Sequence, residues 1–310
     1  MPVVLSPEPS RLTLWRGSSV FPGTGMFYLI ITSLLWAFSF GLVKDQLSTV
    51  DATAVATLRL GIAFLVFLPF VRLSRVPMAS RVRLALIGAV QFGAMYLFYL
   101  QSYHYLQAHE VALFTVLTPL YVGLIDAGLE RAWRWHYLWA ALLAAAGSTI
   151  ILEIRSLDAS HVKGFLLMQA SNVCFAAGQL AWRRERIRLT DSKVSDAQLF
   201  ALPYAGAFVA SLAVSAFITK WTQFHLGGVQ IATLVYLGII PAGVCFYWWN
   251  LGAERVNAGT LAVMNNVKLP IAVLVSLLVF GEHTNLPRLL VGGAVLAVAL
   301  VLAERGRRAA

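Results

Sequence analysis

Long apolar runs, separated by short charged clusters, are what most constrain this chain. Ten runs can be marked off, at 26–43, 51–71, 83–103, 109–127, 136–152, 162–182, 196–218, 228–250, 258–279 and 286–303. A hydrocarbon core about 30 Å thick takes roughly 20 apolar residues of helix, so each run is long enough to cross a bilayer. Only helices and closed barrels satisfy their backbone polar groups in lipid. Barrel strands would be about ten residues long with strict alternation, and these runs are longer and do not alternate. The expected fold class is therefore an all-α integral membrane protein of ten transmembrane helices. Charged residues make up 12% of the chain, about half the share of a soluble domain. Ten spans leave no length for a sizeable soluble domain.

The remaining charge sets an orientation. With the N-terminus placed inside, the inward segments hold 17 of the 24 lysines and arginines, clustered for instance at Arg72, Arg75, Arg81 and Arg83 and again from Arg183 to Lys193. The outward segments hold five: Lys44, Arg155, Lys163, Lys220 and Arg288. Arg59 and Lys268 fall within spans. This asymmetry is the positive-inside pattern. It puts both termini in the cytoplasm of a bacterial cell with a multi-pass inner-membrane protein. The net charge of +10 is thus explained by topology, and no nucleic-acid partner is implied. Residues 1–25 contain Pro2, Pro7, Pro9 and Pro22 and no apolar signal region. They are expected to form a disordered cytoplasmic tail, with 305–310 a basic one. Cys174 and Cys245 lie inside apolar runs and read as small buried hydrophobes rather than a disulfide framework.

The two halves repeat. "YLQAHEVALFTVLTP", ending at Pro119, matches "ERVNAGTLAVMNNVKLP", ending at Pro270. Each is followed by an apolar stretch and an acid, Glu130 and Glu282, and then by small-xxx-small pairs, Ala141 with Ala145 and Gly293 with Ala297. Such pairs let helices approach closely. The offset is about half the chain, which divides it into five-helix halves at 26–155 and 156–304. An odd number of spans per half gives the halves opposite orientation. Inverted repeats enclosing a midplane site are a transporter architecture.

These features resemble the drug/metabolite transporter superfamily, in particular its ten-helix members with two EamA-type repeats. The residues that carry the resemblance are "LLWAFSF" (Leu34 to Phe40), Arg59 in "ATLRLGIAFLV", Pro119 with Glu130, and Pro270 with "FGEH" around Glu282. The resemblance covers nearly all of the chain after residue 25. It implies a basket-like bundle with a central cavity, working by alternating access. Within the superfamily the chain looks closest to the aromatic and neutral amino-acid exporters. The expectation is therefore export of such amino acids, with a proton-coupled exporter of drugs or other metabolites as the alternative.

Ionisable groups deep in a bilayer are functional by default. Lys268 lies near the middle of the ninth span, with Asn265 one turn earlier and Pro270 just after. Its ammonium suits a substrate carboxylate. An internal salt bridge or a snorkelling lysine is the competing role. Arg59 sits midway along the second span. It is open to a substrate anion, but bracing helices through backbone carbonyls is the favoured role, since the resemblance places an arginine here across many substrates. Gln169, Asn172 and Gln179 share one face of the sixth span and must look towards a cavity or another helix. In the third span Gln91, Met95, Tyr99 and Ser102 form one face, overlapped by Tyr96, Tyr99 and Tyr103. In the first, Thr32, Trp36 and Ser39 align. Aromatic walls suit an apolar substrate and can hold a cation. Trp36 and Tyr99 are expected to line the cavity, whereas Trp248 and Trp249 suit the interfacial belt. The substrate-binding set is thus Trp36, Ser39, Gln91, Tyr99, Asn172, Asn265 and Lys268. Arg59, Pro119 and Pro270 form a structural or hinge set, since proline is the commonest cause of a kink.

Other classes find little support. An intramembrane enzyme needs its nucleophile, base or metal ligands clustered, and no H-E-x-x-H or G-x-S-x-G pattern occurs. No P-loop is present to drive a pump. No cofactor or metal is expected. A sensory or structural membrane protein would call for a soluble output domain. The acids Asp51, Glu110, Asp126, Glu130, Glu254 and Glu282 fall near span ends, as do the histidines. Facilitated transport without a buried proton-coupling carboxylate is therefore expected. The partners are a small-molecule substrate and the lipid bilayer, with the chain a monomer or weak dimer.

Overall fold

The computed structural model describes residues 22–129, 139, 142–143, 146–147, 150, 159–189, 194–255 and 269–308. Among them every regular element is helical. Helix α1 (Pro22–Leu42) continues into a π-helical turn, Val43–Leu47. Helix α2 (Ala52–Phe67) starts where the Asp51 side chain accepts from the Ala54 N–H at 2.7 Å. This N-cap satisfies one of the donors that a helix start leaves open. Helix α3 (Met78–Gly88), a π turn (Ala89–Ala94) and α4 (Met95–Ser102) form one rod. Helix α5 (Ala108–Phe114) passes through a 3₁₀ turn (Thr115–Leu117) into α6 (Thr118–Leu129).

The second half begins with α7 (Ala159–Arg188), followed by the short α8 (Asp196–Leu199) and by α9 (Ala201–Ile218). Another rod is built of α10 (Gly228–Leu237), a π turn (Gly238–Val244) and α11 (Cys245–Arg255). Two further helices are α12 (Leu269–Leu278) and α13 (Leu286–Arg308).

Among the described residues, six helical stretches are long and apolar enough to cross a membrane: Gly25–Leu47, Ala52–Phe70, Met78–Ser102, Ala108–Leu129, Asp196–Ile218 and Gly228–Trp249. Shorter apolar helices occupy Leu269–Leu278 and Leu286–Ala299. The sequence predicts ten spans; of these, 136–152 and much of 258–279 lie outside the described residues. Helix α7 has the length but is less apolar, because it carries Gln169, Asn172 and Gln179 and ends in arginines.

The packing is that of a protein in lipid. Large apolar side chains such as Phe27, Leu65, Val209, Phe217 and Leu278 are exposed, while Ser39, Thr57, Arg59, Gln91, Ser102 and Asn172 are buried. Lipid solvates the first set, and the second must find partners inside. Small residues let the helices meet. A Cβ at Gly88 would collide with the Pro203 backbone, and one at Gly206 with that of Ala85. Helices α3 and α9 therefore cross backbone to backbone. Helix α1 packs along α11, with Leu29 against Gly252.

The two ends of the bundle differ in charge. Midway along α3, Arg83 donates to Glu185 of α7 at 2.8 Å, and Arg188 adds a second contact at 3.3 Å. Burial pushes the Glu185 carboxyl up, but the hydrogen bonds from Arg83, Ser80 and Arg188 outweigh it and hold the group below its ordinary range. Arg186 pairs with Asp196 at 2.6 Å. At the far end, the Lys44 ammonium donates to the carbonyls of Tyr103 and Leu106 at 2.9 and 2.8 Å.

Candidate functional site: a buried arginine among aromatic rings

The centre of the bundle is organised around a helix defect. Pro241 lies in the π turn between α10 and α11. Lacking an N–H, it cannot bond the carbonyl one α-turn back, that of Leu237. Arg59 of α2 supplies the missing donor: its Nε–H donates to the Leu237 carbonyl at 3.2 Å. The widened turn frees two more acceptors. The Trp36 indole N–H donates to the Pro241 carbonyl at 2.9 Å, and the Tyr204 hydroxyl donates to that of Ala242. Side chains from α1, α2 and α9 thus converge on one stretch of loosened backbone. Such π turns often mark functional positions.

Arg59 is 2% exposed. Its guanidinium carbon lies 4.7 Å from the centroid of the Tyr96 ring, a cation–π contact. Only Nε has a hydrogen-bond partner among the described residues, and Nη1 is buried with none. No carboxylate of the described residues is within ion-pair distance of it. A buried cation without a counter-ion costs several kcal/mol, so its persistence calls for an explanation.

Aromatic side chains surround this point. Phe92 stacks on Tyr204 at 4.9 Å and meets Phe246 at 5.1 Å edge-on. Phe246 contacts Trp36 at 5.0 Å, and Trp36 contacts Trp249 at 5.2 Å. Tyr96 meets Tyr99 at 5.9 Å, and Tyr99 meets Tyr103 at 5.1 Å, their hydroxyls 2.7 Å apart.

A second polar network joins α6 and α7. The Asn172 amide donates to the Phe114 carbonyl at 2.8 Å and to Gln169 Oε1 at 3.1 Å. Thr118 donates to Asn172 Oδ1, and Tyr121 to Gln169 Oε1, each at 3.2 Å. Phe114 precedes the 3₁₀ turn that leads to Pro119. Asn172 repairs this interruption much as Arg59 repairs the one at Pro241.

The predicted residues separate on this basis. Trp36, Tyr99, Gln91 and Arg59 lie on the helices that meet at the centre. Gln91 is buried against Gly178 of α7 and makes no hydrogen bond among the described residues. Ser39 is spent locally, its hydroxyl donating to the carbonyl of Trp36 at 2.7 Å. Asn172 sits in the α6–α7 network. Pro119 is in the first turn of α6, and Pro270 is exposed near the start of α12. Lys268 and Asn265 lie outside the described residues. Trp249, expected at the membrane interface, is buried against Trp36 instead. Sequence reasoning misses Pro241 and Tyr204. A proline flanked by Gly238 and Gly243 inside an apolar run is the available signal.

One further cluster closes the Lys44 end. Glu282 accepts from the N–H groups of Ala108 and His109 at 2.6 and 3.0 Å, and its carboxylate is 2.7 Å from His109 Nδ1. It caps the start of α5 from the opposite half of the chain. Gly281, with φ of +66°, turns the backbone to bring it there. Burial pushes the Glu282 carboxyl up. The bonds from His109 and the two backbone donors overcome that and hold it below the usual range.

A bundle with an apolar outside, a polar aromatic centre and loosened helices is the design of a membrane carrier. The chain belongs to the EamA-like transporter family, whose sequence signature matches it twice, at residues 23–153 and 163–303. It is 38% identical over 284 residues to a probable biotin transporter of Pseudomonas aeruginosa, covering 91% of this chain and 99% of that one. It is 38% identical over 277 residues to the biotin transporter of Salmonella typhimurium and 36% identical to that of Escherichia coli, each covering 89% of this chain and 91% of theirs. An aromatic amino-acid exporter of Ancylobacter novellus is 28% identical over 67% of this chain and 72% of its own. A solved structure superposes with a TM-score of 0.63 over 91% of this chain and 97% of its own, at 23% identity, and shares the fold.

The expectation of an amino-acid exporter is corrected by these relatives. Those matching at 36–38% along nearly the whole chain are biotin transporters. Aromatic walls suit amino acids and fused-ring vitamins equally, so the rings alone could not separate the two.

Proposed function

We propose that this protein carries biotin across the bacterial inner membrane. The observation that carries the reading is the near full-length similarity to biotin transporters in three bacterial genera. The centre of the bundle supports it chemically. Biotin is an apolar fused ring with a polar ureido edge and a flexible chain ending in a carboxylate. Aromatic faces at Trp36, Tyr96 and Phe246 suit the ring, and a cationic group suits the carboxylate.

The architecture belongs to the same proposal. Ten spans form two inverted five-helix halves, 26–155 and 156–304, with both termini cytoplasmic. Support comes from the doubled family match and from the π turns. These fall at Ala89–Ala94 and Gly238–Val244, separated by nearly the offset that relates Glu130 to Glu282. Pro119 and Pro270 then occupy matching hinge positions, and Lys268 with Asn265 lines the second half's share of the pathway.

The test is counterflow in proteoliposomes. Vesicles loaded with unlabelled biotin should accumulate labelled biotin from outside far above protein-free vesicles, and excess aromatic amino acid should not compete. Monodisperse protein that exchanges no biotin would end the reading.

A further inference from the structure

Arg59 uses one of its five N–H groups to hold Leu237. The remaining edge of the guanidinium is buried and unclaimed: Nη1 has no partner among the described residues, and none of their carboxylates pairs with it. A residue that only braced helices would spend more of its donors on carbonyls, as Arg81 does on those of Val76 and Leu73 at 2.9 and 2.8 Å. Arg59 instead has its guanidinium over the Tyr96 ring and its Nε fixed, which leaves Nη1 buried without a partner among the described residues. The Tyr96 side chain is itself buried with no hydrogen bond among the described residues. A carboxylate offers two oxygens in the geometry of the guanidinium fork.

We propose that Arg59, assisted by the Tyr96 hydroxyl, is the anchor for the substrate's carboxylate, so that the central site selects apolar-bodied monocarboxylates over their neutral analogues. The assignment rests on the transport reading above and deepens it. The loosened carbonyl of Leu237 positions the cation, and the rings of Trp36, Phe92 and Phe246 receive the uncharged body. The substrate becomes the counter-ion that the described residues do not supply.

The experiment compares biotin with biotin methyl ester by ligand-induced thermal shift and by competition with labelled biotin, on purified wild type and on Arg59→Gln, Arg59→Lys and Tyr96→Phe. Wild type should favour biotin over the ester by about tenfold or more, the scale of a charge-assisted hydrogen bond. Arg59→Gln should bind the two within about twofold of each other. Arg59→Lys should keep part of the preference, and Tyr96→Phe should narrow it. Equal binding of acid and ester by wild type, or an unchanged preference in Arg59→Gln, overturns the assignment. Should Arg59→Gln elute as aggregate, the acid–ester gap in wild type and its narrowing in Tyr96→Phe decide. Should wild type bind neither, the biotin reading fails by itself. The same comparison is then run with lipoate, phenylpropanoate and hexanoate against their methyl esters. A gap that Arg59→Gln abolishes sustains the anchor, and no gap in any pair overturns it.

Discussion

Glu282 closes the Lys44 end by capping a helix that belongs to the other half of the chain. Three donors depend on it, counting His109. Removing the charge while keeping the shape, in Glu282→Gln, should therefore cost about 1–3 kcal/mol, measured by thermal unfolding in detergent at neutral pH. The sign with pH follows from the depressed carboxyl. A group whose folded pKa is lowered contributes stability that is complete above its unfolded value, about 4.3 for glutamate. That contribution is lost as pH falls through the folded value. The gap in melting temperature between wild type and Glu282→Gln should accordingly close as the pH drops below about 4. Glu282 and its "FGEH" setting are visible in the sequence as part of the repeat. Its partner is not, because a residue's distance along the chain says nothing about which helix start faces it. Ser39 shows the opposite failure. Its position on a face with Trp36 is plain from the spacing, but a serine hydroxyl within a helix has a carbonyl of its own turn in reach, and that local bond wins.

At the scale of helices, the defects matter more than the regular turns. Pro119 and Pro270 are legible as interruptions because they end matched segments. Pro241 stands in an unmatched run, and its effect appears only when Arg59, Trp36 and Tyr204 are seen to gather on the carbonyls around it. The aromatic residues are likewise legible as faces, but the cross-helix stack of Phe92 on Tyr204 requires knowing that α9 crosses α3. That crossing depends on Gly88 and Gly206, where no side chain fits. Gly88→Val should force the pair apart and destabilise the protein by about 1–3 kcal/mol, seen as a lower melting temperature. At Gly128 a Cβ would meet open space, so alanine there should have a far smaller effect.

For the whole molecule, membrane residence and helical class follow from run length and charge placement, because lipid admits so few backbone solutions. Orientation can be checked directly. Alkaline phosphatase fused after residue 310 should be inactive and a fluorescent protein at the same site bright, as both termini facing the cytoplasm require. The reverse result would refute the cytoplasmic C-terminus and with it the proposed orientation. Substrate identity is the least legible property, since the aromatic rings at the centre suit many apolar substrates alike.

The dry guanidinium of Arg59 also bears on the transport cycle. An unloaded carrier must reorient with a naked positive charge at its heart, whereas a loaded one makes the same journey neutralised. With the substrate carboxylate anchored at Arg59 as proposed, the empty return would be the slower leg. One-for-one exchange of substrate should on that proposal outpace net delivery, whose pace would be set by the passage made without cargo.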